Sequence, residues 1–318
     1  MKRYILLIGA AAVLVLIAAA FVSLSGFFSL PGSAQPPASG PNAPDISPQP
    51  SSTPSSGAVS RTYPYVLRGE NGTIRLDLDP GLYNRLSAGT PPSVCLTPAG
   101  GANPCPDEEI ARYYRGVIDR AEERPYIDAL VQQIREKTDV QNDRARIAIS
   151  LVQQIPYGYN ESYAYGNGNL RSPSMVLYDQ SGICDEKSVL LASLLEELGY
   201  GVVLVSFADQ QHTAVGIRSP PAFSFRNTGY AFVETTFPAI VTDDQGEYAD
   251  GGLLSGPPVI YPIADGGSFD SVSAEYADAR TFIRLRELVR TSGERLTGED
   301  RTEAEALCRK YGLYSCSG

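Results

Sequence analysis

Histidine is almost missing from this chain: among 318 residues His212 stands alone. No Cys-x-x-Cys pair occurs either. One imidazole and scattered thiols exclude the recurrent structural zinc patterns, and a three-histidine zinc centre cannot be assembled within one chain. No metal or cofactor is expected. Any imidazole chemistry has to pass through His212. Lysine is also scarce, with Lys2, Lys137, Lys187 and Lys310 the only four among 26 basic residues, so the chain offers few amines of its own to a crosslinking reaction. Positive charge is short overall. The net charge is -10, and beyond residue 60 there are 24 basic residues against 35 acidic ones. Such a surface repels polyanions, so no nucleic-acid partner is expected.

What is present supports a globular body on a membrane. A content of 43% hydrophobic and 19% charged residues excludes wholesale disorder and suits one ordinary domain or two small ones. Tyr4 to Val22 is a run of 19 uncharged, almost wholly apolar positions behind Lys2 and Arg3, the pattern of a single-pass transmembrane helix with its N-terminus in the cytoplasm. A cleaved signal peptide is the competing reading, although its apolar region is ordinarily shorter. Either way the rest is exported. From Pro31 to Ser60, eight prolines and eight serines in thirty residues make a tether that cannot bury enough apolar surface to order itself. The organisation expected is an anchor over 1–28, a linker over 29–60, a β/loop extension over 61–106 and a main domain over 107–318.

Within the extension, Tyr65 to Leu67 and the alternating Thr73 to Leu78 flank Asn71-Gly72, a hairpin signal, and a Pro/Gly-rich loop follows. Helical periodicity predicts helices over Pro106 to Glu123, from Pro125 with Ile127, Leu130, Val131 and Ile134 on one face, and over Asp143 to Ile155. Tyr157 to Asn169 reads as a long exposed loop. Cys184 to Leu198 is a helix with one apolar face, ended by Gly199, and strands are expected over Gly201 to Phe207, His212 to Arg218 and Tyr230 to Thr236. Helices over Ser273 to Arg290 and Glu299 to Tyr311 close an α+β chain.

Five cysteines in an exported domain divide by spacing into Cys95 with Cys105 and Cys308 with Cys316. Cys184 is left over. It opens an amphipathic helix, where unpaired backbone N–H groups and the positive helix end stabilise a thiolate. A thiol nucleophile needs a base, and His212 begins a strand that packs as a neighbour of that helix. An acid must orient the ring. Glu234 is the candidate, from a strand that can pair with the His212 strand.

The segments Ser181-Gly182-Ile183-Cys184-Asp185-Glu186-Lys187-Ser188, His212-Thr213-Ala214-Val215-Gly216 and Tyr230-Ala231-Phe232-Val233-Glu234-Thr235-Thr236 resemble the transglutaminase-like superfamily. Leu151-Val152-Gln153-Gln154-Ile155-Pro156-Tyr157 and Arg171-Ser172-Pro173 resemble the lead-in of its membrane-anchored prokaryotic and archaeal members. The resemblance spans Asp143 to Pro238, about a third of the chain. It implies a papain-like core in which a catalytic helix packs on a mostly antiparallel sheet, with Cys184, His212 and Glu234 as catalytic residues. The implied reaction is acyl transfer through a thioester on protein or peptide substrates at the cell envelope, ending in hydrolysis or in crosslinking. A non-catalytic binding module on the same fold is the alternative. Gln153 is a supporting candidate that polarises a carbonyl or fixes the cleft, against a solvated helix-face amide. Two positions depart from the family pattern. Glu234 stands where aspartate is usual, and Ile183 where aspartate often precedes the cysteine.

Overall fold

The computed structural model describes residues 57–89, 106–159, 170–245 and 253–314, all within one compact unit, Thr53–Gly318. The apolar run at Tyr4 to Val22, nearly all of the Pro/Ser stretch, Cys95, Cys105, Cys316 and most of the Tyr157 to Asn169 loop lie outside the described residues. Among those described, no helix is long and apolar enough to cross a membrane.

The architecture is α+β, with two antiparallel sheets. Strands β1 (Val59–Leu67) and β2 (Glu70–Leu78) form a hairpin. The first of them starts at Val59, inside the segment assigned to the linker. Its turn is Arg68-Gly69, with φ of 52° and 89°, and not Asn71-Gly72. Gly72 instead pairs with Tyr65 in mid-strand, and a Cβ there would come within 2.2 Å of the Tyr65 ring. The turn signal was a packing requirement.

Helix α1 (Pro80–Ala88) occupies the start of the expected loop, because Asp79 accepts from the Gly81 N–H at 2.8 Å and Pro80 suits a first helical turn. Helix α2 (Asp107–Ile118) ends five residues before the expected Glu123, while α3 (Arg124–Lys137) and α4 (Gln141–Gln154) follow the periodicity closely. A short α5 (Pro173–Asp179) was not foreseen; seven residues carry too little periodicity to be seen. Then comes α6 (Cys184–Glu197), the centre of the molecule. Val189, Leu190, Leu191, Leu194 and Leu195 are fully buried, and so are Glu186, Lys187 and Ser188. The helix has no solvent face at these positions, because α2, α3, α4 and α5 pack on it from one side and the larger sheet from the other. Each buried leucine contributes roughly 1.5–3 kcal/mol.

The larger sheet has the order β5-β4-β3-β6, from β3 (Val202–Phe207), β4 (His212–Arg218), β5 (Tyr230–Val233) and β6 (Val259–Ala264). Strand β5 ends before Glu234, three residues short of the expectation. Strand β6 was missed because Pro262 argues against a strand; it is an edge strand, where proline is tolerated. Helices α7 (Ser273–Ser292) and α8 (Gly298–Tyr311) form a separate small core around Ile240, Phe282, Leu285 and Leu307. Cys308 on α8 is disulfide-bonded, with its partner outside the described residues, and Cys184 is a free thiol. The hairpin residues Tyr63, Ile74 and Leu78 share the main core with α4 and α6.

Candidate active site

Cys184 is the first residue of α6, and three features set its position. Ile183 is extended, with its N–H donating to Glu186 Oε2 at 3.0 Å, one half of a capping box. Glu186 in turn is pinned by Arg171, whose Nη2 donates to Oε2 at 2.8 Å and whose backbone N–H donates to Oε1 at 3.0 Å. Finally, Gly182 bonds both ways with the Pro156–Gly158 segment, at 3.2 and 3.1 Å. The two carboxylates after the cysteine therefore divide their work. Glu186 builds the helix start, while Asp185 accepts from the Tyr114 hydroxyl at 2.8 Å.

The hairpin between β3 and β4 turns through Gln211 in the left-handed region, at φ 49°. That turn brings the Gln211 carbonyl to 3.7 Å from Cys184 Sγ, and this carbonyl belongs to the peptide bond leading into His212. The sulfur thus meets the backbone of the turn one residue before His212. Ser188, one turn further along α6, locks the junction: its Oγ donates to the Thr213 carbonyl at 2.9 Å and lies 3.0 Å from Thr235 Oγ1.

His212 Nε2 stands 2.9 Å from Glu234 Oε2, a buried pair in which the ring N–H donates to the carboxylate. Glu234 thus engages Nε2, not Nδ1, of the ring. The other carboxylate oxygen, Oε1, accepts from the Thr235 N–H at 2.9 Å, the Thr236 N–H at 2.8 Å and Thr236 Oγ1 at 2.7 Å. Burial raises the Glu234 carboxyl, but the His212 ring and the Thr236 donors outweigh it, and the group is held below the ordinary carboxylate value. Strand β5 ends just before Glu234, and the next two amides fold around its carboxylate.

Gln153 is buried, not solvated. Its Nε2 donates to the Glu234 carbonyl at 2.9 Å and to the Ala239 carbonyl at 3.0 Å, so it fixes the backbone that carries the acid. Lys187 has a related place that the sequence did not disclose. Fully buried, its Nζ donates to the carbonyls of Ile155 at 2.5 Å, Thr236 at 3.0 Å and Gln153 at 3.4 Å, tying α4, α6 and the Glu234 segment together. Burial lowers this amine to about 7, against the opposing pull of Glu234. A lysine three residues after the cysteine is the signal that could have revealed it, since that spacing returns to the same helix face.

The thiol departs from expectation. Burial, reinforced by Asp185 and Glu234, pushes Cys184 well above its ordinary value, although the backbone N–H groups of Thr213 and Asp185 pull the other way. The helix start does supply stabilising amides, yet desolvation outweighs them in this closed arrangement. At neutral pH the resting group is a thiol. Cys184, His212 and Glu234 are each 5% exposed or less.

No known protein family matches the chain by its sequence profile, and no curated protein matches it.

Proposed function

We propose that this protein is a cysteine-dependent enzyme of transglutaminase-like, papain-like type that transfers acyl groups from protein or peptide amides. The observation that carries the reading is the run of contacts from Cys184 to the peptide bond of His212 and from His212 Nε2 to Glu234. In the reaction, His212 Nδ1 takes the thiol proton as sulfur attacks the carbonyl carbon, and Glu234 stabilises the imidazolium that forms. N–H groups of the first turn of α6 stabilise the oxyanion. Collapse breaks the C–N bond, the imidazolium returns its proton to the departing amine, and a thioester remains. Water then releases the acid, or a primary amine takes the acyl group. We favour water. Gln153 and Lys187 act as positioning residues for the acid.

The same proposal places the apolar run at Tyr4 to Val22 as a single-pass anchor, the Pro/Ser stretch as a tether of up to roughly 90 Å, and the folded unit outside the cytoplasm, where its substrates are envelope proteins or peptides. The test is incubation of the full-length chain with a peptide library, with and without a primary amine. Thioester formation and amide turnover that vanish in Cys184→Ala support the reading, and equal turnover by that variant overturns it.

A second reading is a surface-binding module with the same fold. The deep burial of all three residues and the raised thiol favour it. Iodoacetamide labelling separates the two: a Cys184 titration that does not change in His212→Ala puts the binding module ahead, and one that shifts in that variant supports the enzyme.

A further inference from the structure

Beyond β5 the chain folds back on itself, and on the sheet face opposite α6 it lines a pocket. Strand β5 is an edge strand, and the Thr242 N–H donates to the Phe232 carbonyl at 2.8 Å, so residues 240–243 lie against that open edge. Thr242 holds φ 74°, a strained left-handed conformation that a β-branched residue rarely adopts. Two arginines of α7 clamp it. Arg286 takes Asp243 in a two-point fork at 2.6 and 2.7 Å, and Arg280 Nη2 donates to the Thr242 carbonyl at 2.9 Å and to Asp244 Oδ1 at 2.8 Å.

The pocket behind this clamp is open to solvent and has a volume of about 90 Å³. Four of its eight lining residues are aromatic. Phe225 and Phe232 pack at 5.3 Å, Phe223 and Tyr276 at 5.3 Å, and the Arg280 guanidinium lies 5.2 Å over the Tyr276 ring. Two lining residues carry buried polar atoms with no hydrogen-bond partner among the described residues, Thr242 Oγ1 and Arg280 Nε. Buried donors left unpaired are costly, and here a strained, doubly clamped backbone holds them beside a pocket of mixed polar and aromatic lining with room for more than one water molecule.

We infer that this cavity is a binding site for a small uncharged carboxamide on an aromatic body. The amide oxygen accepts from Thr242 Oγ1–H and Arg280 Nε–H, and the ring lies among the phenylalanines. Asp244 already neutralises Arg280, so the pocket has no net charge to reward a carboxylate. This site is independent of the chemistry assigned to Cys184.

The test is a ¹⁹F NMR titration of the full-length chain with 4-fluorobenzamide. Saturable binding is expected, weakened about tenfold in Thr242→Val and in Arg280→Lys, and weaker for 4-fluorobenzoate and fluorobenzene. Thr242→Val keeps side-chain shape and the carbonyl that Arg280 holds, and a thermal melt of each variant separates lost binding from lost fold. Failure to saturate, or undiminished binding by a folded Thr242→Val, overturns the assignment. So does fluorobenzene binding as tightly as the amide, or a soaked crystal in which water alone bridges the two donors. Equal or tighter binding of 4-fluorobenzoate overturns the preference for an uncharged ligand.

Discussion

Lys187 and Glu234 are joined through one short piece of backbone: Lys187 Nζ donates to the Thr236 carbonyl while the Thr236 N–H and hydroxyl donate to Glu234 Oε1. A buried amine on the cysteine helix therefore sets the loop that in turn shapes the carboxylate, which lies 2.9 Å from His212 Nε2. The four groups form one hydrogen-bonded unit, in which removing any member leaves buried partners unmatched.

Replacing Lys187 by Met strips the donor from three buried carbonyls. Near pH 9 this is expected to destabilise the fold by about 2 kcal/mol. The sign of its pH dependence follows from burial, which lowers the folded amine to about 7, below its unfolded value near 10.5. Between those values the unfolded chain holds the extra proton, so the parent gains stability as pH rises and loses it as pH falls toward 7. Urea melts of both proteins from pH 7 to 10 should show the gap narrowing at the lower end; a gap independent of pH would contradict the buried amine.

Glu234→Gln keeps the shape but loses the charge that holds an imidazolium. Turnover is expected to fall by roughly 10²-fold or more. The folded carboxyl lies below its unfolded value of 4.5, so it stabilises the protein above that value, and this contribution disappears as pH falls through the folded pKa. Acid unfolding of the parent should therefore have a component in that range that the Gln variant lacks.

Gln153→Ala leaves the Glu234 and Ala239 carbonyls without their side-chain donor. A loss of about 1–3 kcal/mol is expected. If Gln153 positions the acid, the pH profile of turnover shifts as well; a stability loss with an unchanged profile would mark it as purely structural.

Cys184 should react slowly with iodoacetamide near pH 7 and faster above pH 9, since burial keeps the folded thiol neutral. Mild denaturant should accelerate labelling. The stability sign is opposite to that of Glu234: above the ordinary thiol value the unfolded chain releases a proton that the folded chain keeps, so stability falls as pH rises. Rapid labelling at pH 7 in native buffer would show the sulfur to be open and ionised.

Gly72→Ala tests a different layer. The added methyl meets the Tyr65 ring at 2.2 Å, and displacing a ring that packs on the hairpin should cost about 1–3 kcal/mol. An unchanged melting temperature would mean that the ring moves freely.

Several elements were legible because their signals are local. Apolar positions at helical spacing marked α2, α3, α4 and α6, and β-branched and aromatic runs marked β3 and β4. Short elements escaped: α5 is seven residues long, and β6 carries Pro262, so both depend on their neighbours. Asn71-Gly72 misled because a glycine demanded by a facing ring looks the same in sequence as one demanded by a turn.

For the candidate site, the sequence alone determined the cast: one thiol at a helix start, one imidazole at the head of a strand, and an acid at the end of another. The tertiary structure decided their state and support. Burial is a property of everything packed around a group, so only the folded chain could put Gln153 under the Glu234 backbone, bury Lys187 among three carbonyls and raise the thiol where the helix end alone would lower it. Spacing reports which residues can meet, and the dielectric in which they meet comes from the whole fold.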